Sequence, residues 1–84
     1  MSPRLPRDVF GERLAKLLEG LSYFVTRRKG SHLRLTTQDG GEHHVTVPDH
    51  ESLRVGTLNG IVNAVAEYAG MTRDAVAEKF FGRG

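Results

Sequence analysis

The apolar positions change period along the chain. From Phe10 onward, Leu14, Leu17, Leu18 and Leu21 recur at three- and four-residue spacing, the stripe of an amphipathic helix that Pro6 and Asp8 can open and Gly20 can stop. Three stretches rich in β-branched and aromatic residues follow, Tyr23 to Arg28, Ser31 to Thr37 and His43 to Val47, separated by glycine-bearing turns. They predict an antiparallel meander. The helical period returns at Leu58, Ile61, Val62, Val65 and Ala69, with Thr57 as expected N-cap and Gly70 as stop; Thr72 then caps a short helix through Phe80. The expected architecture is α+β: helix, three-stranded antiparallel sheet, helix, and a short C-terminal helix.

Turn chemistry predicts the register, and the register decides which side chains meet. A two-residue turn at Lys29-Gly30 pairs Arg28 with Ser31 and sets Arg27 opposite His32. A three-residue Asp39-Gly40-Gly41 loop pairs Gln38 with Glu42, Arg34 with Thr46 and His32 with Pro48. Phe24, Leu33, Leu35, Val45 and Val47 then share the face that the helices cover. Arg27, His32, Arg34, His44 and Thr46 share the open face, where Tyr23 and Val25 are also expected.

With 84 residues the chain makes one small domain, residues 1–84, with no internal repeat. The absence of cysteine excludes a disulfide framework, a thiol nucleophile and thiolate metal sites, and is compatible with the reducing cytoplasm, where the protein is expected. No apolar run approaches the roughly 20 residues that span a bilayer, and Met1 to Pro6 lack the apolar core of a secretory signal, so no membrane association is expected. The net charge is only +2, but Arg27, Arg28, Lys29 and Arg34 cluster around His32 with no acid among them. Such a patch attracts polyanions, or is simply a solvated face.

The histidine gives the patch a possible chemistry. An imidazole takes up and releases protons near physiological pH, and guanidinium groups beside it bind phosphate and stabilise charge developing there. RNA brings its own nucleophile, the ribose 2′-hydroxyl, so scission needs proton transfer, alignment and phosphate stabilisation, without a metal, cofactor or covalent enzyme intermediate. His32 is the candidate catalytic residue. Arg27, Arg28, Lys29, Ser31 and Arg34 are the candidate RNA and phosphate ligands.

The chain resembles the HicA-type toxins, small bacterial mRNA interferases of type II toxin–antitoxin systems. The resemblance spans approximately residues 10–70 and rests on the basic turn Lys29-Gly30-Ser31-His32, on Val45-Thr46-Val47-Pro48 with His50 beyond it, and on Gly56-Thr57-Leu58 opening a helix. It implies a fold similar to the double-stranded-RNA-binding domain, cleavage of mRNA by the histidine of the Gly-Ser-His turn, here His32, and a HicB-type antitoxin that covers the active face. Two features depart from the family pattern. Ser22-Tyr23 stands where a glycine-aromatic pair is usual, and residues 71–84 extend past the second helix, to lengthen the core, dimerise or bind the antitoxin.

The remaining histidines have plainer readings. His43 and His44 are adjacent and so point to opposite sheet faces, which argues against a shared metal. His50 either reaches the active face as an accessory group or orders its loop. Gly56-Thr57 either caps a helix or meets phosphate at its N-terminus. Two other functions fit the same residues: a non-catalytic RNA-binding module, and a protein-interaction domain whose open face serves its partner. The sequence leaves self-association open.

Overall fold

The computed structural model describes residues 5–49 and 52–82. The elements run α1 (Gly11–Glu19), β1 (Phe24–Lys29), β2 (His32–Thr37), β3 (His43–Pro48), α2 (Val55–Ala69) and α3 (Arg73–Phe81), with the strands in the order β1-β2-β3. This is the expected α+β architecture.

The first helix starts later than Pro6 and Asp8 suggested. Asp8 adopts a left-handed φ of 60°, and the chain then runs extended: Phe10 bridges Ser52, and the Leu53 N–H donates to the Val9 carbonyl at 2.7 Å. Val9 is thereby buried and Phe10 left about half exposed at the N-cap. Gly11 follows because a Cβ there would overlap the Pro48 carbonyl oxygen, so only glycine lets α1 begin against the end of β3.

Both α1 and α2 end in the same hydrogen-bonded motif. After α2, the Met71 N–H reaches the Ala66 carbonyl at 2.9 Å and the Gly70 N–H reaches Glu67, with Gly70 at φ 69°. After α1, the Tyr23 N–H reaches Leu18 and the Ser22 N–H reaches Glu19, both at 3.0 Å, with Ser22 at φ 65°. These are Schellman closures, and the position usually held by glycine is a serine in the first.

The first hairpin differs from its expected register. Lys29 pairs with His32, Arg28 with Leu33 and Arg27 with Arg34, so the two turn residues are Gly30 and Ser31. The turns that suit a hairpin need a positive φ at their first central residue, and Gly30 at φ 57° supplies it where a Lys29-Gly30 turn would have strained a lysine. A bulge between Val25 and Arg27 then makes Thr26 an extra residue and restores pairing as Val25 to Leu35 and Phe24 to Thr36. Phe24 therefore stands on the open face and Val25 on the helix side at the exposed edge, while Tyr23, just before the strand, is buried. The second hairpin has the expected register, with His32 opposite Pro48 and Arg34 opposite Thr46.

Leu33, Leu35, Val45 and Val47 form the covered face of the sheet, packed beneath Leu14 and Leu18 of α1 and Leu58, Ile61, Val62 and Val65 of α2. Ala66 rather than Ala69 completes the α2 stripe. Helix α2 starts at Val55, before Thr57, with Arg54 at the N-cap and no side-chain cap. Thr72 does cap α3, accepting from the Ala75 N–H at 3.0 Å, and α3 packs on α2 through Val76, Ala77 and Phe80. The C-terminal extension thus adds to the core.

Candidate active site

The uncovered face of the sheet carries the candidate chemistry. Side chains of paired residues share a face, so the pairs Lys29–His32, Arg27–Arg34 and Arg34–Thr46 bring three cations and one imidazole together on it. All four are exposed. With Gly30, Ser31 and Thr46 they line a surface depression of about 530 Å³. Among the described residues, no carboxylate forms an ion pair with Arg27, Lys29, His32 or Arg34.

Arg28 is built into a different part of the molecule. Its partner Leu33 lies on the helix side, and its guanidinium pairs with Asp49, whose side chain is buried. The Asp49 N–H donates to the Ser31 carbonyl at 2.6 Å. Asp49 therefore clips the Gly30-Ser31 turn to the end of β3 from behind, which fixes the backbone from which His32 projects. Sequence reasoning missed this aspartate, although it sits between Pro48 and His50 in a stretch already singled out. His50 itself lies outside the described residues.

A second set of polar groups occupies the other end of the same face. Glu42 Oε2 lies 2.8 Å from His44 Nε2, His44 Nδ1 lies 2.7 Å from Thr36 Oγ1, and Thr36 Oγ1 lies 2.8 Å from Thr26 Oγ1. With Arg27, Arg34 and Gln38 these residues line a depression of about 350 Å³. The two depressions meet at the Arg27–Arg34 pair.

His43 points to the opposite side of the sheet, as its neighbour's direction requires. The Tyr23 hydroxyl lies 2.7 Å from its Nδ1, and its ring stacks on Tyr68 with centroids 4.4 Å apart. Burial, with Tyr68 adding a smaller effect, pushes the Tyr23 phenol above its ordinary value. This trio is structural, and it separates His43 from the open-face groups.

Residues 11–71 match the family model for the HicA toxin of bacterial toxin–antitoxin systems. The chain belongs to the HicA toxin family. A search among curated proteins returned no match. The HicA span begins at the first residue of α1 and ends at Met71, one residue past the glycine that closes α2, so α3 lies beyond it. Membership makes the protein a toxin of a toxin–antitoxin system, with an antitoxin partner and an RNA substrate in the general pattern of HicA toxins. Among the described residues, no helix is long and apolar enough to cross a membrane.

Proposed function

We propose that this HicA toxin is an mRNA-cleaving endoribonuclease in which His32 carries out one of the two proton transfers of strand scission, and that a HicB-type antitoxin inhibits it by covering the same face. The observation that carries the reading is the cross-strand arrangement of Lys29, His32, Arg27 and Arg34 on one exposed surface, none of them ion-paired with a carboxylate among the described residues.

In the reaction a base removes the proton of a ribose 2′-hydroxyl and the oxygen attacks the adjacent phosphorus. The bond from phosphorus to the 5′-oxygen breaks, and an acid protonates the leaving oxygen. The products are a 2′,3′-cyclic phosphate and a 5′-hydroxyl. His32 serves as that base or that acid. Lys29 stands directly across from it, and the Arg27–Arg34 pair follows one step along the sheet, so a phosphate beside the imidazole meets cations on two sides. Ser31 in the turn offers its hydroxyl to the same phosphate, while Arg28 is held by Asp49 and supports the turn. Because the nucleophile belongs to the substrate, the scheme needs no metal or cofactor.

The test is RNA cleavage by purified protein in chelator, with His32→Ala alongside. The variant should lose cleavage and growth arrest yet retain a cooperative unfolding transition, since an exposed side chain contributes little to the core. A folded variant that still cleaves removes His32 from the mechanism. Wild-type protein that binds RNA with salt-sensitive affinity but never cleaves it supports a non-catalytic RNA-binding module instead.

A further inference from the structure

The open face changes its chemistry along its length. At the His32 end it is cationic and suited to phosphate. Past the Arg27–Arg34 pair it presents Thr26, Thr36, Gln38, His44 and Glu42, which are hydroxyl, amide, imidazole and carboxylate groups. A carboxylate repels phosphate, so Glu42 would weaken any site meant only to hold the RNA backbone. It suits a site that faces a nucleobase.

We infer that this far half of the face is a base-recognition subsite, which selects a nucleobase bearing an exocyclic amine at a nucleotide close to the scissile phosphate. The inference rests on the RNA-cleaving reading above. Thr36 lies four steps along β2 from His32, about 13 Å at ~3.3 Å per residue. A short single-stranded segment that leaves its phosphates on Arg27 and Arg34 therefore reaches both ends.

The groups at the far end are held in place before any ligand arrives. Glu42 contacts one ring nitrogen of His44, the other ring nitrogen hydrogen-bonds the Thr36 hydroxyl, and the Thr36 and Thr26 hydroxyls hydrogen-bond each other. Thr36 is itself buried, and it anchors the middle of this line of hydrogen bonds. One Glu42 oxygen is occupied by His44, and the other remains as an acceptor. An acceptor of that kind fits the amine of cytosine, adenine or guanine and opposes the O4 carbonyl of uracil. Phe24 supplies the other element of a base site: it lies across from Thr36 on the same face with 54% of its surface exposed, a flat apolar platform for stacking.

The experiment uses oligonucleotides with a single ribose in a deoxy background, so that the scissile position is fixed, and varies the base at each flanking position. Wild-type protein should cleave substrates with A, C or G at one flanking position about tenfold faster than the substrate with U there. Glu42→Gln, whose amide also donates to a carbonyl, should bring U to within about twofold of the others. Phe24→Ala should raise KM about tenfold on all substrates with little change in kcat. Equal wild-type rates for all four bases at every flanking position overturn the subsite, as does a preference that survives Glu42→Gln. Should both variants cleave like wild type while binding the cognate antitoxin more weakly, the surface belongs to the protein partner and the inference fails. Affinities of 2′-O-methyl oligonucleotides for folded His32→Ala read the same preference without chemistry. A base preference there with no wild-type cleavage sinks the proposed activity alone, whereas equal affinities there sink the subsite.

Discussion

Arg27 and Arg28 are neighbours with opposite duties, and the bulge at Thr26 together with the Gly30-Ser31 turn assigns them. Arg27 faces the candidate site beside Arg34. Arg28 faces the helix side and neutralises buried Asp49. Arg27→Ala is expected to slow RNA cleavage by about 1.5–3 kcal/mol of lost phosphate stabilisation while leaving stability within about 0.5 kcal/mol. Arg28→Ala should do the reverse, costing about 1–2 kcal/mol of stability, because it leaves a buried carboxylate without its guanidinium while its own half-exposed position limits the loss. Urea denaturation and cleavage rates on the same two variants check this, and a larger kinetic effect at Arg28 would contradict the observed register. Tyr23 gives a pH-dependent case. Its phenol is raised by burial, so above pH 10.0 the unfolded chain ionises this tyrosine before the folded one does. The stability it contributes is complete below that pH and is lost as pH rises through the raised native value. Tyr23→Phe should flatten this alkaline loss and cost about 0.5–1.5 kcal/mol near neutrality, where His43 Nδ1 loses its hydroxyl partner. Denaturant titrations at neutral and alkaline pH separate the two effects.

At the scale of elements, the two Schellman closures form an internal comparison. Gly70 occupies the left-handed position after α2 at no steric cost, and Ser22 occupies it after α1. A left-handed non-glycine residue costs about 1–2 kcal/mol, of which the greater unfolded-state freedom of glycine cancels about half. Ser22→Gly should therefore raise Tm by a few degrees, and Gly70→Ser should lower it, both read by thermal denaturation. The departure from the family's glycine, visible in the sequence, thus has a conformational meaning. The helices, the second hairpin and the α3 cap were legible because each carries a periodic stripe or a turn whose glycines leave little choice. The first hairpin was not. Tyr23, Val25, Arg27 and Lys29 are all odd-numbered, and an unbroken period of two puts them on one face. The extra residue at Thr26 changes the phase, so Tyr23 and Val25 go to the helix side while Arg27 and Lys29 turn outward. No residue in Val25-Thr26-Arg27 announces a bulge, since none is a glycine or proline. The late start of α1 was hidden for a similar reason: the pairing of the segment before it with Leu53 is a long-range event. The open-face grouping of Arg27, His32 and Arg34 was nevertheless anticipated, although Arg27 meets Arg34 rather than His32 across the strands.

Over the whole molecule, both helical layers lie on one side of the sheet and the candidate chemistry on the other, so in the proposed function the antitoxin and the RNA compete for the same surface. An inhibitor of the proposed kind needs carboxylates opposite Arg27 and Arg34 and enough bulk to bury His32. Arg34→Glu is expected to weaken the complex with the cognate antitoxin at least about tenfold by setting like charges together, as titration calorimetry would measure. Unchanged affinity would place the antitoxin elsewhere and call for an effect transmitted through the fold. The bulge has one more consequence at this scale. β1 is an edge strand whose six residues are all exposed, and it opens with Phe24-Val25, the kind of edge on which another chain can add a strand. The kink at Thr26 bends that edge out of line, and Arg27 and Lys29 after it, cations with no ion pair among the described residues, repel a second copy. The distortion that turns Arg27 to the face proposed to meet RNA therefore also discourages the sheet from growing between molecules, which keeps one copy of the toxin from pairing edge to edge with another.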